Sequence, residues 1–100
     1  IKDNLKDRYD VNIAYDGPQA EAMTGKGGYD LILLDLNMPD FTPPDFLRAT
    51  YSQDPGIKVI IVSASIDRSF TEDFPNIYGI ITKPFRRETL LNMVKKALGQ

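Results

Sequence analysis

Three residues whose side chains could carry phosphoryl chemistry stand where largely apolar runs of the sequence end. The runs cover residues 31–34, 57–62 and 77–82, and they are followed by Asp35, Ser63 and Lys83, in that order. A carboxylate can act as a covalent nucleophile toward phosphorus, a hydroxyl can donate a hydrogen bond to a phosphoryl oxygen, and an ammonium group can neutralise its charge. Together these residue types indicate phosphorylation of an aspartate side chain.

The elements that must position these residues can be predicted from the same pattern. Continuous apolar runs are typical of strands buried on both faces of a parallel sheet. Segments with the signals of helices accompany these strands. Prolines start two of them, since Pro18 precedes Ala20, Ala22 and Met23, and Pro43 and Pro44 precede Phe46, Leu47 and Tyr51. In the last segment the apolar residues recur at helical spacing, at Leu90, Met93, Val94 and Ala97. In open parallel sheets the ligand crevice lies beyond the carboxyl ends of the strands, so we expect Asp35, Ser63 and Lys83 to meet there.

The start of the chain predicts two further elements. Ile1, Leu5 and Tyr9 suit one face of a short helix, and the side chains of residues 11–15 alternate as those of a strand do. The whole chain of 100 residues is long enough for one core but not for two. We therefore predict a single α/β domain over residues 1–100, in which crossover helices join parallel strands.

Composition excludes several classes of function. The sequence has no Cys and no His, so disulfides and the usual zinc and transition-metal ligands are absent and a hard cation with oxygen ligands is the metal to expect. The net charge is −2 and no basic run is longer than the pairs Arg86-Arg87 and Lys95-Lys96, which argues against direct nucleic acid binding. No apolar stretch approaches the roughly 20 residues that span a bilayer. We expect a cytoplasmic protein without membrane contact.

The strand ends and the residues around them resemble the CheY-like receiver domain of two-component response regulators. The resemblance rests on YDLILLDLNMPD, VSAS and TKPF, in this order, and it runs from about residue 11 to the C-terminus. Each motif alone is weak evidence, but the three in this order are specific. The resemblance implies a flavodoxin-like, doubly wound parallel sheet and a function in two-component signal transduction.

The resemblance also implies a role for each residue. A histidine kinase or phosphotransfer protein would transfer a phosphoryl group to Asp35, in a phosphorelay that requires Mg²⁺ bound by Asp35 and the main-chain carbonyl of Asn37. Ser63 would bind a phosphoryl oxygen, Lys83 would pair with the phosphorylated carboxylate, and the bond between Lys83 and Pro84 would be cis. Such a domain is not an enzyme toward other substrates, since it catalyses only its own phosphorylation and dephosphorylation. It would switch a surface presented to an output domain or in a homodimer.

One part of the family pattern is not in this sequence. The family's first strand carries an acidic pair that binds Mg²⁺, and in the strand order 2-1-3-4-5 it lies between the strand at residues 11–15 and the strand that ends at Asp35. We therefore expect a gap in the sheet and an N-terminally incomplete domain. Because the other three active positions are intact, we favour a piece of a longer protein over a degenerate domain.

Two other functions fit parts of the pattern. A pseudo-receiver would use the same fold as an unphosphorylated interaction domain, and the missing acidic strand favours it. A phosphohydrolase of the haloacid dehalogenase type also uses an Asp, a later Ser or Thr and a later Lys, but its motif needs Asp-x-Asp with the second carboxylate as general acid. Here that second position holds Asn37, whose amide cannot donate and recover the proton. The phosphoacceptor receiver is our predicted function.

Overall fold

Helices and strands alternate along most of the described chain, as predicted, apart from two strands at residues 58–63 and 77–82 that have no described helix between them. The computed structural model describes residues 5, 6, 8–36, 40, 42–64 and 74–100. In chain order the elements are α1 (Gly17–Gly25), β1 (Leu31–Asp35), α2 (Pro43–Gln53), β2 (Lys58–Ser63), β3 (Ile77–Thr82) and α3 (Arg87–Ala97). Within these described ranges, no helix has the length and apolar character that crossing a membrane requires.

The strands form one parallel sheet in the spatial order β1-β2-β3, so β2 lies at its centre. The register places Asp35 of β1 opposite Val62 of β2. One residue further along, Ser63 lies opposite Thr82 of β3. Because the strands are parallel, their carboxyl ends lie at one edge of the sheet, and this edge contains Asp35, Ser63 and, directly after β3, Lys83.

Alternating side chains of β2 divide the core between the two faces of the sheet. The buried cluster on the α3 face contains Leu5, Ile60, Val62, Ile81, Leu90, Val94 and Ala97. The buried cluster on the α2 face contains Ala20, Leu34, Phe46, Leu47, Val59, Ile61 and Phe74. Residues 59–62 each have 0% exposure, which confirms the prediction of a strand buried on both faces. Burial of each such side chain contributes roughly 1.5–3 kcal/mol.

Helix α1 begins and ends at the predicted signals. The Asp16 side chain caps the helix by accepting a hydrogen bond from the Gln19 amide at 2.8 Å, and Pro18 occupies the first turn. The helix ends at Gly25, and Gly27 follows with a φ of 74°. Glycine adopts this left-handed conformation without steric cost, and it turns the chain toward β1.

The described part of the first predicted helix agrees with the prediction. Leu5 is buried in the α3-face cluster, and the Tyr9 amide donates to the Leu5 carbonyl at 3.0 Å, as in a helical turn. The Tyr9 hydroxyl donates to Gln100 Oε1 at 2.9 Å. These contacts hold the segment against α3, whereas Ile1 lies outside the described residues.

Residues 11–15 do not form a strand, which corrects the sequence-based prediction for this segment. Their side chains still alternate, because Val11 packs against the α3-face cluster and Ala14 against the α2-face cluster. A strand also needs a neighbouring backbone for its hydrogen bonds. Among the described residues, none pairs with residues 11–15 or with the outer edge of β1. The side-chain pattern of a strand is therefore present without the hydrogen bonds to a neighbouring strand.

Strand β3 contains a bulge where it passes beneath α3. Val59 of β2 pairs with Ile77 and the next residue, Ile60, pairs with Gly79, so Tyr78 is the extra residue. A Cβ atom at position 79 would lie 2.8 Å from Met93 Sδ. The absence of a side chain at Gly79 therefore allows the Met93 thioether to lie directly on the strand.

We expect Gly79→Ala to lower the free energy of unfolding by about 1 kcal/mol, because the added methyl group overpacks the Met93 contact and the flexible side chain can give way only in part. Urea denaturation would measure this change. Gly25→Ala is the matched control, since nothing lies within 4 Å of a Cβ there, and it should change the value by less than about 0.5 kcal/mol. The cost of Gly79→Ala should disappear in a Met93→Ala background. An equal cost in both backgrounds would contradict this contact as its source.

Candidate functional site

Asp35 and Lys83 form an ion pair at the carboxyl edge of the sheet. Lys83 Nζ donates to Asp35 Oδ2 at 2.6 Å, although the two residues are 48 positions apart in sequence. The Lys83 and Asp35 side chains are 37% and 32% exposed, respectively. The carboxylate is therefore both paired with a cation and open to a ligand that arrives from solvent.

Strand alternation explains why these two side chains meet. Asp35 follows Leu33 by two residues and Lys83 follows Ile81 by two residues, and both apolar residues pack in or against the α3-face cluster. Side chains two positions apart in a strand share a face, so Asp35 and Lys83 both lie on the α3 side. Val62 of β2 lies between them on that face, and the ion pair passes over the end of the central strand.

A main-chain hydrogen bond joins Ser63 to Lys83. The Lys83 amide donates to the Ser63 carbonyl at 3.0 Å, which ties the end of β2 to the residue that follows β3. Ser63 as a whole residue is 2% exposed. By alternation it shares a face with Ile61, on the α2 side of the sheet. The structure therefore brings Ser63 to the same strand end as the ion pair, with its hydroxyl buried.

The segment after Lys83 places the start of α3 at this edge. The bond between Lys83 and Pro84 is cis, as predicted. Arg86 occupies the N-cap position of α3, Arg87 is its first residue, and both side chains are exposed. From the sequence alone, this arginine pair indicates only that no long basic run is present to bind nucleic acid. Only Phe85 separates the pair from Lys83-Pro84, and this short spacing is the sequence signal that places it near the site.

The predicted metal ligands are described only in part. Asp35 supplies a carboxylate oxygen, the donor type that Mg²⁺ prefers, whereas Asn37 lies outside the described residues. Among the residues that the structure describes, no group of three or more acidic side chains is close enough to bind a metal ion. The described residues thus supply one ligand of the type found in magnesium sites and do not form a complete site.

A family model, described as response regulator receiver domain, matches residues 2–95. The matched segment therefore contains all of the predicted site residues. Among curated proteins, the transcriptional regulatory protein YkoG of Bacillus subtilis is 33% identical in an alignment 94 positions long, which covers 92% of this chain and 41% of that protein. The chemotaxis protein CheY of Pseudomonas aeruginosa is 30% identical in an alignment 102 positions long, which covers 96% of this chain and 82% of that protein.

A kinase is also among the relatives. The sensor kinase CckA of Brucella abortus is 34% identical in an alignment 94 positions long, which covers 90% of this chain and 10% of that protein. The chain thus spans less than half the length of YkoG and a small part of CckA. Similar segments therefore occur in proteins of different overall organisation.

Solved structures share the fold. A CheY-like receiver domain protein from Methanospirillum hungatei superposes with a TM-score of 0.88 at 25% identity, over 98% of this chain and 81% of that one. The chemotaxis protein CheY4 of Vibrio cholerae gives 0.85 at 28% identity, over 97% of this chain and 85% of that one. The predicted flavodoxin-like α/β fold is thereby confirmed.

Proposed function

Because this chain belongs to the receiver-domain family of response regulators, we propose that it is a phosphoacceptor domain that takes a phosphoryl group from a phosphohistidine onto Asp35. The observation that carries the proposal is the Asp35 carboxylate at the end of β1, partly exposed and 2.6 Å from the Lys83 ammonium group. A nucleophile and a charge-neutralising cation are thereby in contact at the crevice of a parallel sheet.

The proposed reaction is an in-line displacement at phosphorus. A bond forms between a carboxylate oxygen of Asp35 and the phosphorus atom, while the bond from phosphorus to the histidine nitrogen breaks. The imidazole leaves with the electron pair of that bond and gains a proton. Positioning and charge stabilisation supply most of the catalysis in phosphoryl transfer, and Lys83 serves both by shifting from the free carboxylate toward the phosphoryl oxygens.

Ser63 is proposed to donate a hydrogen bond to a phosphoryl oxygen. Ser63 is a buried residue, so we propose that its side chain changes position once the phosphoryl group has arrived. A main-chain hydrogen bond joins Ser63 to Lys83. A movement of the Ser63 side chain and a shift of the lysine would therefore both act on the ends of β2 and β3. We propose that this coupled change is how phosphorylation favours a second conformation, as a population shift.

The proposed cofactor is Mg²⁺, with Asp35 and the main-chain carbonyl of Asn37 as the ligands that this chain supplies. When bound, the ion would neutralise charge on the transferred phosphoryl group. The proposed partners are a histidine kinase or a phosphotransfer protein as donor, and an output domain or a second copy as reader. The proposed location is the cytoplasm, and the proposed catalysis extends only to the domain's own phosphorylation and dephosphorylation.

Incubation with acetyl phosphate tests the proposal. We expect the intact mass to rise by a single phosphoryl group in the presence of Mg²⁺, and we expect no increase when EDTA removes the ion. Hydroxylamine should reverse the change, since it cleaves an acyl phosphate but leaves a phosphoserine intact. A protein that stays unmodified with Mg²⁺ would contradict the proposal and support the unphosphorylated interaction domain instead.

A further inference from the structure

A cleft lies at the amino edge of the sheet, opposite the edge that contains Asp35 and Lys83. It is formed where the C-terminal ends of α1 and α2 approach the starts of β1 and β2, and its largely apolar lining includes Tyr29, Ile32 and Ile57. About 30 Å³ of the cleft is enclosed, which is close to the volume of one water molecule in the liquid. The enclosed space therefore suits a narrow group, such as an ammonium group or a methylene chain, and excludes a ring.

The two helix ends and one carboxylate make the surroundings of this cleft negative. The C-terminus of a helix carries a partial negative charge, and its last carbonyls have no partner within the helix. At the end of α2, Pro55 has no N–H to donate, and the Gly56 amide donates to Asp54 Oδ1 at 3.1 Å. Asp54 lines the cleft and adds a carboxylate. Neither α1 nor α2 has a basic residue in its last turn, whereas α3 has Lys95 and Lys96 there.

A neutral amide serves the end of α1 in place of a cation. Gln53 Nε2, from the last residue of α2, donates to the Thr24 carbonyl at 3.0 Å and to the Gly25 carbonyl at 3.2 Å. Lys26 is the C-cap residue of α1, but its exposed side chain is not among those that line the cleft. Within the described part of the chain, the residues that line the cleft thus supply negative charge and acceptors but no cation.

The end of α3 shows how this fold holds an ammonium group. Lys58 Nζ donates to the Ala97 carbonyl at 2.9 Å and lies 5.3 Å from the centre of the Tyr78 ring. The helix end supplies the acceptor, and the ring adds a cation–π contact. The cleft combines the same two features, with Tyr29 as the aromatic residue, and it has Asp54 in addition. What the cleft lacks, among the described residues, is the ammonium group itself.

We propose that this cleft, here termed the amino-edge cleft, binds a primary ammonium group on a short aliphatic stem. Asp54 and the two helix ends hold the ammonium group, and the stem lies against Ile32 and Ile57. A free alkylamine and the lysine side chain of a partner protein share this chemistry. A guanidinium fits less well, because its planar fork is wider than an ammonium group. The inference does not rest on the proposed function, since it concerns a second site at the other edge of the sheet.

Titration with n-butylammonium chloride at low salt tests the amino-edge cleft, with two-dimensional amide NMR spectra of the isotope-labelled protein as the readout. We expect saturable shifts at Gly27, Tyr29 and Gly56, with a dissociation constant on the order of 1 mM, since so small a ligand makes few contacts. n-Butanol has the same stem without the charge. It should bind about 10-fold more weakly, because hydrogen bonds to charged groups are the stronger ones.

Asp54→Asn should weaken the binding of n-butylammonium about 10-fold. The substituted side chain keeps an oxygen that can accept from the Gly56 amide, so the turn after α2 should be retained. Asp45→Asn is the matched control, since it removes the same charge from the first turn of the same helix, and it should bind as the unmodified protein does. An unchanged dissociation constant for Asp54→Asn, equal binding of n-butanol, or the absence of saturable shifts would each overturn the proposal.

Two further measurements identify the source of the ammonium group and separate this site from the phosphoacceptor. N-acetyl-lysine N-methylamide presents a lysine side chain without other charges. If it binds as well as n-butylammonium, a partner's lysine is the ligand, whereas binding of n-butylammonium alone indicates a free alkylamine; both results support the ammonium site. Asp35→Asn should bind n-butylammonium with an unchanged dissociation constant. Weaker binding by this variant, or shifts centred on Asp35, would place the amine at the other edge of the sheet and overturn the amino-edge cleft.

Discussion

Asp35→Asn should abolish phosphorylation by acetyl phosphate. The amide has nearly the shape of the carboxylate, but it lacks the negative charge and the nucleophilic oxygen that attack phosphorus requires. The change also removes the partner of Lys83. Because both side chains are about one-third exposed, the lost ion pair should cost less than about 1 kcal/mol of stability. The variant should therefore stay folded, and its intact mass after incubation should equal that of the untreated protein.

Asp30→Asn is the matched control for this prediction. Asp30 is exposed and directly precedes β1, so the control removes an equal charge at the opposite end of the same strand. It should be labelled as fast as the unmodified protein. A labelled Asp35→Asn variant would show that another residue accepts the phosphoryl group, and mapping of the modified peptide would identify it.

The positions of the site residues could be predicted from the sequence because the strands are largely apolar. The residue that ends such a run lies at the carboxyl edge of a parallel sheet, and this reasoning placed Asp35, Ser63 and Lys83 together. The contact between Asp35 and Lys83 follows from the alternation of side chains along a strand, once the register in which the strands pair is known. The orientation of Ser63 required the structure, because the burial of a hydroxyl depends on packing around β2 and not on the sequence of the strand.

The segment at residues 11–15 shows where prediction from sequence failed. Alternation of side chains is a property of the segment itself, and it is present in the structure, since Val11 and Ala14 pack on opposite faces of the sheet. A strand also depends on hydrogen bonds to a neighbour. No described segment provides these bonds. The predicted alternation of side chains is therefore present, but the predicted strand is not.

The arginine pair at the start of α3 could not be assigned from composition for a related reason. A basic pair on its own is most often a solvated surface feature. Its meaning changes once Arg86 is found at the N-cap and Arg87 in the first turn, where both oppose the helix dipole. Capping position and proximity to Lys83 are properties of the fold, so composition alone could not place the pair at this edge of the sheet.

Lys83→Gln should slow phosphorylation by acetyl phosphate by about 100-fold while leaving stability nearly unchanged. Removal of a single group that stabilises transition-state charge typically costs a factor of 10²–10³. The effect on stability should be small, below about 1 kcal/mol, because the Lys83 side chain is 37% exposed in its pair with Asp35. A time course of intact mass and a urea denaturation curve would measure the two effects on one preparation.

Two further variants make this prediction specific to the position of the charge. Lys95→Gln removes the same charge from the last turn of α3 and should be labelled at the rate of the unmodified protein. Lys83→Arg keeps the charge, but its planar fork is wider than an ammonium group and should restore the rate only in part. If Lys83→Gln is labelled at the normal rate, the ion pair with Asp35 is a structural contact and another cation must stabilise the phosphoryl group.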